Sequence, residues 1–140
     1  MFAIDRQGYD TLVAHARAEY PNEACALLSG SDGTVEKVYA LPNAEASPTF
    51  YVVEPKAQLA AMNEIDDRGL DLVGIFHSHT FTEAYPSRTD VELAAYPDAT
   101  YLILSLADLK TPVLRAFRIH DGQVDEEEVR VVASPDHVGG

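Results

Sequence analysis

The sequence predicts a mixed α/β or α+β domain, a largely antiparallel, curved sheet flanked by about three helices. Three observations carry that expectation. Segments of strand length that are apolar almost throughout, EACALLSG, DLVGIFHSH and YLILSL, alternate with segments whose apolar residues recur at helical spacing. Turn signals from Gly, Pro and Asn separate them at short intervals. A chain of 140 residues is the size of one core, able to bury roughly two thirds of its unfolded surface, so residues 1–140 are expected to form one domain.

Each element has a local reason. Tyr9, Leu12, Val13, Ala16 and Tyr20 form the stripe of a first helix, which Pro21 closes. EACALLSG reads as a buried strand ending at a turn. EKVYALPN and TFYVVE read as two more strands, split by the turn signal Ser47-Pro48. Pro55, following Glu54, suits the first position of a second helix; Leu59, Met62 and Ile65 give its apolar stripe, and Gly69 its end. DLVGIFHSH is a strand running into two histidines. Ser87 can cap a short third helix that stops at Pro97. YLILSL is apolar enough for a central strand, and Asp121-Gly122 can turn a hairpin between VLRAFRI and VDEEEVRVV. No repeat, linker or low-complexity segment interrupts this order.

Composition excludes several function classes. The formal charge is −13, from 10 basic and 23 acidic side chains, so the surface repels phosphate backbones and anionic lipid; nucleic acid and membrane are not expected partners. The opening MFAIDRQGYD lacks the basic-then-apolar pattern of a secretory signal, and no apolar run approaches membrane-spanning length, which points to a cytoplasmic protein. Cys25 is the only cysteine, so neither an internal disulfide nor a multi-cysteine zinc site can form. Any metal must be held by histidine and carboxylate.

The stretch GIFHSHTFTEAYPSRTDVELA offers that ligand set. Side chains alternate faces along a strand, so His77 and His79 point the same way. Asp90 falls in the first turn of the helix capped by Ser87, and a tight loop through Tyr85-Pro86 can bring it back as a third, anionic ligand. Three protein ligands would leave a fourth position for water, the arrangement of a catalytic zinc site. No glutamate lies within HSH to act as base; Glu23 is the one acid written into an otherwise apolar element. Plainer readings stand beside these. The histidines can simply end a strand, Ser87 and Asp90 can be a capping pair, Glu23 a strand-edge acid, Cys25 a small core residue, and the acidic run at 125–128 a solvated strand edge. His15, His120 and His137 need no function.

Taken together, Glu23 followed by HSH, seven residues, Ser87, two residues and Asp90 resembles the signature of the JAMM or MPN+ metallopeptidases, a glutamate and then H-x-H-x7-S-x2-D. The PNEACALLSG, SPTFY and EAYPSRTD stretches follow in the family's order. The resemblance implies a JAMM/MPN, cytidine deaminase-like fold, with zinc, one per chain, on His77, His79 and Asp90. It implies Glu23 as general base and Ser87 as oxyanion stabiliser. One departure is Ala26, where the family usually has glycine after the cysteine; its methyl is expected to crowd a neighbouring strand or ligand. The stretches NAEASPTFY and HSHTFTEAYPSRTDVELA most resemble the bacterial CysO-cysteine peptidase group. That implies hydrolysis of the amide after the terminal glycine of a ubiquitin-like sulfur-carrier protein with a Gly-Gly tail, releasing cysteine in cysteine biosynthesis. An extended tail could pair with the strand at 49–51. A homodimer is left open. Alternatives are a JAMM isopeptidase acting on another ubiquitin-like tail, a non-catalytic scaffold of the same fold, or an unrelated hydrolase using HxH. The chain's own Val138-Gly139-Gly140 imitates a carrier tail, although terminal glycines are usually only an end.

Overall fold

The computed structural model describes residues 1–134. In chain order they form β1 (Phe2–Asp5), α1 (Arg6–Glu19), β2 (Cys25–Ser31), β3 (Thr34–Leu41), α2 (Pro55–Asp67), β4 (Asp71–His79), α3 (Arg88–Leu93), β5 (Thr100–Ser105), β6 (Val113–His120), β7 (Gln123–Glu127) and β8 (Val129–Val132). The strands make one sheet in the order β7-β6-β5-β4-β2-β3-β1-β8. Four of its pairings are antiparallel, β2 with β3 and β4, and β6 with β5 and β7. Three are parallel, β4 with β5, and β1 with β3 and β8. This is the mixed, mainly antiparallel sheet with three helices that the sequence predicts.

The central strands are apolar on both faces because both faces are covered. On one side Leu28, Phe76, Leu102 and Leu104 pack with Leu12 and Ala16 of α1. On the other Leu27, Ile75, Tyr101 and Ile103 pack with Ala61 and Ile65 of α2. Full burial of such side chains stabilises by about 1.5–3 kcal/mol each. The caps follow the sequence. The Asp5 carboxylate accepts from Gly8 N–H at 2.7 Å, and Glu54 from Ala57 N–H at 2.7 Å with Pro55 at the first helical position. Gly69 leaves α2 at φ 67°, a conformation glycine adopts without cost. Asp121 and Gly122, both at positive φ, turn β6 into β7. Among the described residues no helix is long and apolar enough to cross a membrane.

Four expectations need correction. TFYVVE is not a strand: apart from an isolated bridge between Asn43 and Val53 it is loop, held at Phe50 and Val52 by the Asn43 side chain in place of a strand ladder. β1 itself, four residues long, was not expected. VDEEEVRVV is two strands at opposite edges of the sheet, β7 on β6 and β8 on β1. The third helix ends at Leu93, before Pro97. The acidic run is more than a solvated edge: Glu127 accepts from Thr100 Oγ1 at 2.6 Å and Glu126 pairs with Arg115 through two bonds, at 3.0 and 2.7 Å. Glu128 alone joins the two edge strands, and its carbonyl accepts from Phe2 N–H at 2.8 Å, so the curled sheet nearly closes on itself. The Val138-Gly139-Gly140 segment lies outside the described residues.

Candidate metal centre

The register of the sheet assembles the site. β2 and β4 are antiparallel with Cys25 opposite His77, so the same register carried two residues further sets Glu23 opposite His79 on the same face. Ser78, pointing to the other face, locks that end: Ala24 N–H donates to Ser78 Oγ at 2.8 Å and Ser78 N–H to Ala24 carbonyl at 3.0 Å. Glu23 therefore precedes β2 rather than opening it, and is buried to 5% exposure. Ala26, fully buried, lies on the α1 face, away from the histidines, where its methyl joins the core. Cys25 is a buried free thiol that burial pushes up to about 12, a core residue and not a nucleophile.

Residues 80–87 then bring Asp90 back. Thr80 Oγ1 donates to Pro48 carbonyl at 3.0 Å, Ser105 Oγ donates to Thr82 carbonyl, and the Tyr85 ring packs edge-on against Phe117 at 5.4 Å. Ser87 caps α3 in a reciprocal box: Asp90 N–H donates to Ser87 Oγ at 3.1 Å and Ser87 N–H to Asp90 Oδ2 at 2.9 Å. That box aims Asp90 Oδ2 at both histidines, 3.0 Å from His77 Nε2 and 3.0 Å from His79 Nε2, which are themselves 3.1 Å apart. The capping reading and the ligand reading thus describe one geometry.

These three residues fit a metal ion. Each offers one ligand atom, and the three atoms lie within 4.8 Å of one another. The Glu83 carbonyl can only accept, so His79 Nδ1, 2.8 Å away, carries a proton. A neutral His79 then presents a bare Nε2 lone pair to an Asp90 carboxylate oxygen, which repels it. A divalent cation placed among the three atoms would accept a lone pair from each of them. The charges of the site are tightly coupled. Burial pushes His77 down. Burial opposes ionisation of Asp90, yet the His77, His79 and Ser87 hydrogen bonds hold its carboxyl well below the usual range. Burial also opposes charge on His79, and the Asp90 and Glu83 contacts outweigh it, moving His79 up. Burial raises the Glu23 carboxyl to about 7, with the His79 charge pulling it down and Asp90 pushing it up.

Two further residues, which the sequence reading did not single out, complete the surroundings. The Tyr51 ring stacks on His77, centroids 4.6 Å apart and planes 19° from parallel. Asn43 ties three segments together: its Nδ2 donates to the Glu23 and Phe50 carbonyls, each at 3.0 Å, and its Oδ1 accepts from Val52 N–H at 3.0 Å. A groove of about 210 Å³ runs beside Asp90, lined by Phe50, Tyr51, Val52, Thr89, Leu93 and Tyr101. The remaining histidines stay apart: His15 Nε2 donates to Cys25 carbonyl at 2.9 Å, and His120 is 71% exposed. His137 lies outside the described residues.

The arrangement matches known proteins. Residues 5–120 match the model of the prokaryotic homologs of the JAB domain. The CysO-cysteine peptidase of Mycobacterium tuberculosis is 48% identical over 125 residues, 88% of this chain and 86% of that one. A desampylase of Haloferax volcanii is 36% identical over 103 residues, 69% of this chain and 74% of that one. The solution structure of DSY2949 from Desulfitobacterium hafniense superposes with a TM-score of 0.88 at 40% identity, covering 98% of this chain and 97% of that one.

Proposed function

The chain belongs to the family of prokaryotic JAB-domain homologs, and from that membership we propose that it is a zinc-dependent peptidase of a ubiquitin-like sulfur carrier. It hydrolyses the amide after the carrier's terminal glycine and releases cysteine. The convergence of His77, His79 and Asp90 on one point, with Glu23 across the ladder from His79, carries the reading. The M. tuberculosis relative's name supports the substrate.

His77, His79 and Asp90 would hold the ion. When bound, zinc supplies Lewis-acid polarisation of the scissile carbonyl and acidifies the attacking water. Glu23 takes a proton from that water as its oxygen attacks the carbonyl carbon. The same proton goes to the nitrogen as the carbon–nitrogen bond breaks, so cysteine leaves as an amine. Ser87 Oγ accepts the Asp90 N–H, which leaves its own O–H to donate to the developing oxyanion. Ser87→Gly is expected to cost the helix only a few tenths of a kcal/mol and to lower kcat about a hundredfold; melting curves and turnover measured on one preparation separate the two.

The carrier tail needs a backbone partner, and the loop at 49–52 offers one. Phe50 C=O and Val52 N–H are taken by Asn43, whereas Tyr51 N–H and C=O have no hydrogen-bond partner among the described residues. Thr49→Pro or Phe50→Pro, assayed at saturating zinc so that the site stays loaded, should weaken carrier binding about tenfold, since each distorts this edge. Unchanged carrier affinity would remove the pairing.

The deciding experiment counts zinc per chain and follows cysteine release from a glycyl-glycyl-cysteine-ended carrier with and without chelator. One zinc and chelator-sensitive release are expected. Zinc without release would move the substrate to another ubiquitin-like tail.

A further inference from the structure

The two histidines are held differently. His79 has the partner usual for a metal-ligating imidazole, its Nδ1–H donating to the Glu83 carbonyl, which fixes both tautomer and ring plane. His77 has none: its Nδ1 is buried and unpaired among the described residues. Yet Nε2 of a neutral His77 is a ligand only when the proton sits on Nδ1. With the proton on Nε2, the ring would instead donate to Asp90 Oδ2 at 3.0 Å. No hydrogen bond therefore holds His77 in the ligating tautomer or orientation.

What meets the face of the ring is Tyr51, stacked at 4.6 Å with a 19° interplanar angle. Tyr51 is fixed from behind, because Asn43 grips the backbone at Phe50 and again at Val52. The clamp matters because this segment is loop, outside the ladder that would otherwise hold it. We propose that Tyr51 is a positioning residue: its ring face, clamped through Asn43, holds the His77 imidazole in ligating orientation in place of the hydrogen bond that Nδ1 lacks. The inference rests on His77 being a metal ligand. The role belongs to the ring face and not to the hydroxyl. An imidazole bound to a dication is electron-poor, so stacking on an electron-rich ring strengthens as the ion binds.

The test is zinc affinity, measured with zinc alone against a competing chelator and without substrate, for the wild type, Tyr51→Phe and Tyr51→Leu. The unfolding midpoint of each metal-free protein is recorded alongside. Phe is expected to stay within about twofold of wild type and Leu to lose at least about tenfold, the cost of removing an outer support of a ligand. A purely structural role would lower the midpoint of Tyr51→Leu while its folded fraction bound zinc normally, and that result overturns the proposal. So does a Phe variant as weak as Leu, which would assign the effect to the hydroxyl. If Leu does not fold, the His77 ring protons of the zinc-loaded wild type decide. They should show the upfield shift of a stacked ring, reduced in Asn43→Ala together with its zinc affinity. Unshifted protons overturn it. A wild type that takes up no zinc would instead sink the metal assignment beneath it.

Discussion

Glu23→Gln is expected to keep its zinc and to lose at least about a hundredfold in kcat, because the amide has the shape of the carboxylate but cannot accept the water's proton. The pH profile gives a second check. Glu23 must be ionised to act, and burial raises its carboxyl to about 7 in the metal-free site. Activity should therefore fall on the acid side, and a cation at the three ligands moves that limb below 7 by favouring the ionised form. The limb should vanish in the residual activity of the variant. Stability moves the other way. The folded carboxyl binds its proton up to about pH 7 and the unfolded one only to its model value of 4.5, so the metal-free protein loses stability as pH rises through that window. Above pH 7 the metal-free Gln variant should be more stable than wild type by up to about 3 kcal/mol, and the two should converge toward pH 4.5. Full activity in Glu23→Gln would refute the assigned base.

Asp90→Ala should be the most damaging single change to metal binding. One oxygen, Oδ2, accepts from Ser87 N–H and faces both Nε2 atoms at 3.0 Å. Without it two imidazoles face each other at 3.1 Å with no counter-charge. Zinc affinity is expected to fall at least about a hundredfold, more than the loss of an outer support alone. Turnover should follow and recover only partly at high zinc. The half of the capping box made by Ser87 Oγ survives, so the loss in helix stability is about 1 kcal/mol or less. Asp90→Asn separates the two roles: it keeps an acceptor for Ser87 N–H and should restore α3 without restoring wild-type affinity. Normal metal content in Asp90→Ala after dialysis would mean that other groups hold the ion.

Most of the site can be read from the chain because its parts are local. HSH is a two-residue alternation on a strand whose apolar run gives it away, and Ser87-x-x-Asp90 is a helix start whichever role it serves. Glu23 stands out only as an acid beside an apolar run, and its approach to His79 depends on register, which a sequence does not display. Tyr51 and Asn43 leave no local mark. TFYVVE has the β-propensity of a strand, but its backbone is held at Phe50 and Val52 by the Asn43 side chain and not by a ladder, a contact that a sequence does not display. β1 is too short to announce itself, and VDEEEVRVV reads as one run because the change of edge at Glu128 is decided by closure of the whole sheet.

That closure bears on the order in which the protein is made. Phe2 pairs with Val129 and Asp5 with Val132, so β1 is completed by a strand that is translated only after all the other described elements. Phe2 and Ile4 end fully buried beside α1, yet their outer partner does not exist until β8 has been translated. Closing so long a loop costs entropy before any contact returns it, which slows folding. Until then a nascent chain carries an open β1 edge, and that interval is when pairing with a neighbouring chain competes with β8.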